Sequence, residues 1–352
     1  MTRTTLSLVL TGMIITGLLA TFLIQGAAAP PCGKPLKVAI ILPASRTDQG
    51  WNQQGADSLL SLQKKWELTV EIAENQGYGD IKPVVRDLAG KKFDLIIAHA
   101  SGYQTAAPEV AAEKNVKVAT IENIKAVKPG LVSDIDTEAQ GAAYLAGVAA
   151  GKMTRKGIVG IVVSGEPPTW NRMSAGFAEG LHSVKPDAKL LYNVIGEAAY
   201  EDAAGAKQNT EAQIAAGADV IFGQGDGASF GMMNACAASK AKDGGKVWFI
   251  DVIGNKRSID KAGILLTSVL FDYAIIYEEM FKSICNNTFG KEYVLSVANN
   301  SVRLMDFHSS VPKAVKDAVE NARKDIISGK VKVSNVPNAA DLKALRTKLF
   351  PK

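Results

Sequence analysis

Short apolar runs separated by helix-like stretches recur along nearly the whole chain, and this alternation restricts the fold more than any other feature. The runs "KVAIIL", "LTVEIA", "FDLIIAH", "VKVATI" and "GIVGIVV" are interleaved with helix-like stretches at Gln53–Trp66, Thr105–Lys114 and Thr137–Lys152. The pattern continues with "MSAGFAEGLHSV" as helix, "KLLYNVI" as strand, Asp202–Ala216 as helix, "ADVIFG" as strand, Phe230–Lys242 as helix and "KVWFID" as strand. Runs that are apolar throughout belong to strands covered on both faces, and helices between such strands build a parallel sheet. The expectation is an α/β protein with two doubly wound parallel-sheet lobes. Beyond "KVWFID" the chain adds "ILLTSVL", a helix at Asp272–Ser283, a hairpin-like "GKEYVLSVANNSVRLM" and a last helix at Pro312–Ser328. Such extra elements are expected where a chain crosses back between lobes. Crossings near Ser133–Thr137, Leu266–Leu270 and Ser301–Asp306 divide the chain into lobe 1 (34–135 plus 268–302), lobe 2 (136–267 plus 303–340) and a C-terminal tail (341–352).

Residues 1–29 are read separately, because Arg3, the apolar run Leu6–Ile24 and the small residues "GAAA" have the makings of a secretory signal. Cleavage near Ala29 and retention as a membrane anchor both fit, since the run is long enough to span a bilayer. Either way the rest of the chain is expected outside the cytoplasm. Cys32 follows two prolines in "APPC", a poor context for lipid attachment. A formal charge of +5 spread over 352 residues does not indicate nucleic acid. The stretch Lys313–Lys352, with ten basic and four acidic residues, reads as a solvated helical face. Cys32, Cys236 and Cys285 are too few and too scattered for a disulfide framework or a metal site, and no pairing is predicted.

The catalytic motifs are weak. Gly227-Ala-Ser-Phe-Gly231 matches a nucleophile elbow, with Asp251 or Asp260 and then His308 downstream in the hydrolase order. An elbow needs its serine on a tight turn directly off the strand, whereas "GQGDG" intervenes here, which leaves a Ser229 hydrolase as a minor alternative. The same loop imitates a dinucleotide fingerprint, but Asp226 would repel the pyrophosphate at a helix N-terminus. His99, His182 and His308 have no metal-ligand spacing, and neither cofactor nor metal is expected. His99 ends a strand and is a candidate to face a cleft.

In doubly wound sheets ligands sit beyond the carboxyl ends of the strands. The residues there read "PASRTDQGWN", "HASGYQ", "SDID", "SGEPPTWN", "GQGDGASF" and "DVIGNK". They supply the rings of Trp51, Tyr103, Trp170 and Phe230 beside Asp48, Asn52, Asp134, Asp136, Asp226 and Asp251. Aromatic faces with carboxylates and amides suit a flat, polar, uncharged ligand.

Taken in order, "DQGWNQQGADSL", "FDLIIAHASGYQTAAPEVA", "TEAQGAAYLAGVAAGKMTRKGIVG", "SAGFAEGL", "GADVIFGQGDGASFG", "WFIDV", "LLTSVL" and "VPKAVKDAVENARKDIISGKVKV" make the chain resemble the basic membrane protein (BMP, PnrA-like) family over nearly its whole mature length. That family comprises extracytoplasmic binding lipoproteins of ABC importers, many of them specific for purine nucleosides. The resemblance implies a type I periplasmic-binding-protein clamshell with a small-molecule ligand, a permease partner, and attachment to the membrane through the transporter or an N-terminal anchor. It implies that Trp51 stacks on the base and Asn52 reaches its polar part, that Phe230 closes from the second lobe, and that Asp251 takes ribose hydroxyls. Departures are Pro43 and Ala44 where the family has an Asp, Val252 and Ile253 where a second Asp is common, and Leu270 and Phe271 where it has a basic residue, so that Phe271 becomes an apolar wall. A sensor of the same fold, signalling to a membrane receptor, is the alternative to a transporter.

Overall fold

The computed structural model describes residues 32–351, and the expected signal segment lies outside them. Among the described residues no helix is long and apolar enough to cross a membrane. The first half of the chain lays down β1 (Lys37–Ile41), β2 (Thr69–Ala73), β3 (Leu95–Ala98), β4 (Val118–Ile121) and β5 (Val132–Thr137). With β11 (Glu292–Leu295) they form a six-stranded parallel sheet in the order β11-β5-β4-β3-β1-β2. The second half supplies β6 (Ile158–Val163), β7 (Lys189–Val194), β8 (Val220–Gln224), β9 (Trp248–Ile253), β10 (Leu265–Phe271) and β12 (Val302–Leu304), in the order β12-β10-β9-β8-β6-β7. The second sheet repeats the winding of the first, apart from an antiparallel last strand.

Strand periodicity sends alternate residues to opposite faces, and the cores follow it. Val38 and Ile40 of β1 enter one cluster, Ala39 and Ile41 another. In β9, Trp248, Ile250 and Val252 join that same first cluster, while Phe249 enters a third. The two sheets therefore share one inner core, and each has an outer core of its own.

The inner core is filled by α1 (Trp51–Trp66), α4 (Gln140–Met153), α5 (Pro168–Val184) and α8 (Tyr273–Cys285). Glycines let α4 and α5 approach closely: a Cβ on Gly180 would strike the Tyr144 carbonyl, and one on Gly147 the Phe177 carbonyl. The outer layers hold α2 (Lys82–Gly90) and α3 (Ala106–Lys114) on the first sheet, with α6 (Ala203–Ala215) and α7 (Ala228–Ala238) on the second. Helix α9 (Lys313–Ile327) packs on α4, and α10 (Ala339–Leu349) on α5.

The structure departs from the sequence reading in several places. The hairpin-like segment is not a hairpin: β11 pairs with β5 and β12 with β10, so the connection between them carries the chain from one sheet to the other. The crossing expected within Leu266–Leu270 falls later, because β10 stays paired with β9 and β12 as far as Leu270 and Phe271. Residues expected as a tail form α10, whose Asn338 side chain accepts the Asp341 N–H at its start. Cys32, the first described residue, is bonded to Cys285 at the end of α8, across a sequence separation of 253, and Cys236 is a free, buried thiol.

A cleft at the strand ends as candidate functional site

Loops at the carboxyl ends of both sheets face one another across a cavity of about 70 Å³. Its walls are Pro43 and Trp51 beyond β1, Tyr78 beyond β2, Ala100 and Ser101 beyond β3, Glu122 beyond β4, Pro167, Thr169 and Trp170 beyond β6, Tyr200 beyond β7 and Asp226 beyond β8. This is the place where doubly wound sheets hold ligands. The volume is far below the ~300 Å³ at which ligand pockets begin, so a ligand would need the lobes to part and reclose around it. A larger hollow of about 380 Å³ lies between the β11–β12 connection and α9, away from these strand ends.

Trp51 is the first residue of α1, and Asp48 explains why a helix starts there. The Asp48 carboxylate accepts the N–H groups of Gly50, Asn52 and Gln53 at 2.9–3.0 Å, capping donors that the first helical turn leaves open. Asn52 donates its side-chain amide to the same carboxylate at 2.7 Å. The indole of Trp51 stacks on His99 at 4.9 Å, meets Phe271 and Tyr273 edge-on, and donates Nε1–H to the His99 carbonyl at 2.9 Å. The ring is thereby fixed as a rigid wall of the cleft. His99 lies beneath it, fully buried, and burial lowers its pKa to about 4, so the ring is neutral. Gly55 makes the room: a Cβ there would collide with the imidazole.

The second lobe contributes Trp170 and Tyr200, whose rings are 5.6 Å apart, and Tyr200 reaches Tyr78 of the first lobe at 6.4 Å across the cleft mouth. Asp226 crosses the gap, accepting the backbone N–H of Trp51 at 3.1 Å. Burial, reinforced by Asp48, pushes the Asp226 carboxyl up to about 7. Burial likewise raises Glu122 to about 7, and its Oε1 is buried without a hydrogen-bond partner. Glu122 occupies a left-handed backbone conformation (φ 57°) at the end of its strand. Thr169 is 3% exposed and its hydroxyl also lacks a partner.

Of the residues expected at the site, Trp51 and Trp170 line the cavity, and Phe271 supports Trp51 from behind while being buried itself. Asp48 and Asn52 brace the α1 entry instead of offering free groups. Tyr103 is buried in the outer core of the first sheet, its hydroxyl donated to the Gly77 carbonyl. Asp136 is held by Arg172 at 2.6 Å. Phe230 sits in the first turn of α7 and is not among the residues lining the cavity, where the second-lobe rings are those of Trp170 and Tyr200. Asp251 is wholly buried against Lys256 at 2.6 Å and accepts the Ser229 hydroxyl at 2.8 Å. Ser229 also donates to the Gly225 carbonyl; it is fully buried inside a helix, with no histidine among its partners, and so lacks the exposed elbow geometry of a hydrolase.

Tyr78, Glu122 and Tyr200 were not singled out from the sequence. All three come after apolar runs, "LTVEIA", "VKVATI" and "KLLYNVI", so the strand-end rule applied to every run would have found them.

Two sheets of like winding with a cleft between their carboxyl ends define the two-lobed α/β fold of the type I periplasmic class. The chain belongs to the family of PnrA-like ABC transporter substrate-binding proteins, which its residues 36–336 match. It is 26% identical over 326 residues to the ABC transporter nucleoside-binding protein BmpA of Lactococcus lactis subsp. cremoris, covering 85% of this chain and 89% of that one. Its fold is shared with an ABC transporter solute-binding protein from Aeropyrum pernix K1 (TM-score 0.75, 17% identity, 90% of this chain and 100% of the other). One from Conexibacter woesei is similar as well (TM-score 0.73, 22% identity, 85% and 99%).

Proposed function

We propose that this protein works outside the cytoplasm, capturing a small flat solute, a purine nucleoside or base, between Trp51 and the second-lobe rings of Trp170 and Tyr200, and presenting the closed form to an ABC permease. The observation that carries this reading is the convergence of rings and carboxylates from the strand ends of both sheets on one cleft, with Asp226 bonded across it to the Trp51 N–H. The nucleoside assignment draws on the BmpA relative and on the aromatic walls; the pairing of Asp251 with Lys256 weakens the ribose role first expected of it. The Cys32–Cys285 bond suits an oxidising compartment. Binding would act by stabilising the closed arrangement through contacts the open one lacks. A solute-binding role, not catalysis, is what this arrangement supports.

A thermal-shift screen against bases, nucleosides, sugars and amino acids tests it, because a ligand of the native state alone raises the melting temperature. A shift with purines supports the nucleoside reading. Silence toward purines together with a shift for another class overturns it and keeps the solute-binding role.

A further inference from the structure

Charge in the cleft is not balanced. Arg172 is taken by Asp136 and Lys256 by Asp251, each at 2.6 Å. Asp134 accepts the Thr120 hydroxyl and the Asn123 N–H on Oδ1, leaves Oδ2 buried without a partner among the described residues, and does not line the cavity. Among the described residues that leaves Glu122 and Asp226 on the cavity wall without an ion-pair partner; the charge of Arg172 reaches Glu122 and that of Lys256 reaches Asp226, while Asp48 and Glu201 bring further negative charge to Asp226. Burial and then the charges of Asp226 and Glu122 raise the pKa of the Tyr200 hydroxyl. Around them stand Trp51, Tyr78, Trp170 and Tyr200, and the buried Thr169 hydroxyl, unpartnered, borders the same space. A neutral solute would meet these groups as protonated carboxyls, whereas a cation would hold them ionised and supply their counter-charge. Ring faces attract cations, most strongly where both partners are desolvated.

We infer that the solute this cleft closes on carries positive charge, a protonated or quaternary nitrogen on a flat or compact body, with Glu122 and Asp226 as its counter-charges and the rings of Trp51, Trp170 and Tyr200 as its walls. This rests on the solute-binding reading above and narrows its ligand class; a nucleoside would enter as a cationic form. Buried carboxylates that hold protons near neutrality when alone would release them to a cation, so affinity for a fixed cation rises with pH as Glu122 and Asp226 ionise. The Tyr78, Tyr200 and Tyr273 hydroxyls around them, all raised by burial, stay neutral through that interval.

Calorimetric titration with two matched pairs tests the charge: adenosine against 1-methyladenosine, and choline against its neutral isostere 3,3-dimethylbutan-1-ol. The cationic member of at least one pair should bind about tenfold or more tightly than its neutral partner, and choline, whose charge does not titrate, should bind more tightly at about pH 8 than at about pH 6. Glu122→Gln and Asp226→Asn, each verified by its melting transition, should both erode that preference. Discrimination in the choline pair with no binding of either nucleoside upholds the charge and removes the nucleoside. Adenosine bound as well as or better than its methylated form, with the choline pair silent, overturns the charge and keeps the nucleoside. No binding in either pair overturns the charge.

Discussion

Two groups of acids sit in or just beyond strands of this protein, and they have opposite surroundings. Asp251, ending a run of the second sheet, has Lys256 and Ser229 within hydrogen-bonding distance and no exposure. Glu122 and Asp226, at strand ends of the first and second sheets, have aromatic rings and a cavity before them, and among the described residues Arg172 and Lys256 act on them only from a distance, each paired to another acid. A carboxylate at the right end of a doubly wound sheet is therefore not automatically a ligand contact. The nearest counter-charge decides whether it holds the protein together or remains for a solute.

The largest effect should come from Lys256→Met, which strands Asp251 as an uncompensated buried charge. Breaking a buried pair in this way costs about 3–5 kcal/mol, measurable by denaturant unfolding. A cost under about 1 kcal/mol would mean that Asp251 is solvated in solution and is as open to ligand as the cleft acids. Ser229→Ala should cost less, about 1–2 kcal/mol, because it removes one hydrogen bond from the same group.

The cleft acids predict a pH dependence of the ligand-free protein. Their folded pKa values, pushed up to about 7, exceed those of ordinary carboxylates. Stability from holding these protons is fully present below the ordinary carboxylate range and is lost as pH rises through about 7. The melting temperature should therefore decline over that interval, and Glu122→Gln should flatten the decline. A slope unchanged in both Glu122→Gln and Asp226→Asn would show that the carboxylates are already ionised and hydrated.

How much of this was legible in the chain turns on the same contrast. Apolar runs covered on both faces announce parallel strands, so the sheets could be read directly, and the place of Trp51 and Trp170 on the cavity wall follows from their position after such runs. Pairings over long separations could not: the bond from Cys32 to Cys285, the ion pair of Asp251 with Lys256 and that of Asp136 with Arg172 depend on how helices and loops pack in three dimensions. Helix α2 is only nine residues long and has a proline in its first turn, so its apolar stripe spans too few turns to stand out as a helix. Strands β11 and β12 are joined by a connection of hairpin length, and only their pairing with different sheets separates them.

The smallest change should be one of shape. A Cβ at Gly50 would press on Asp226 from across the cleft, so Gly50→Ala should hold the lobes slightly apart. Small-angle scattering should report a modestly larger radius of gyration for the ligand-free variant. An unaltered profile would place the lobes apart already.

The measurement closest to the centre is calorimetric titration of Trp51→Ala and Trp170→Ala with whichever solute raises the melting temperature of the parent protein. Each variant should remain folded and lose about tenfold or more in affinity, since each removes one aromatic wall from a cleft shared by both lobes. Parental affinity in both variants would contradict a solute held between the strand ends of the two sheets.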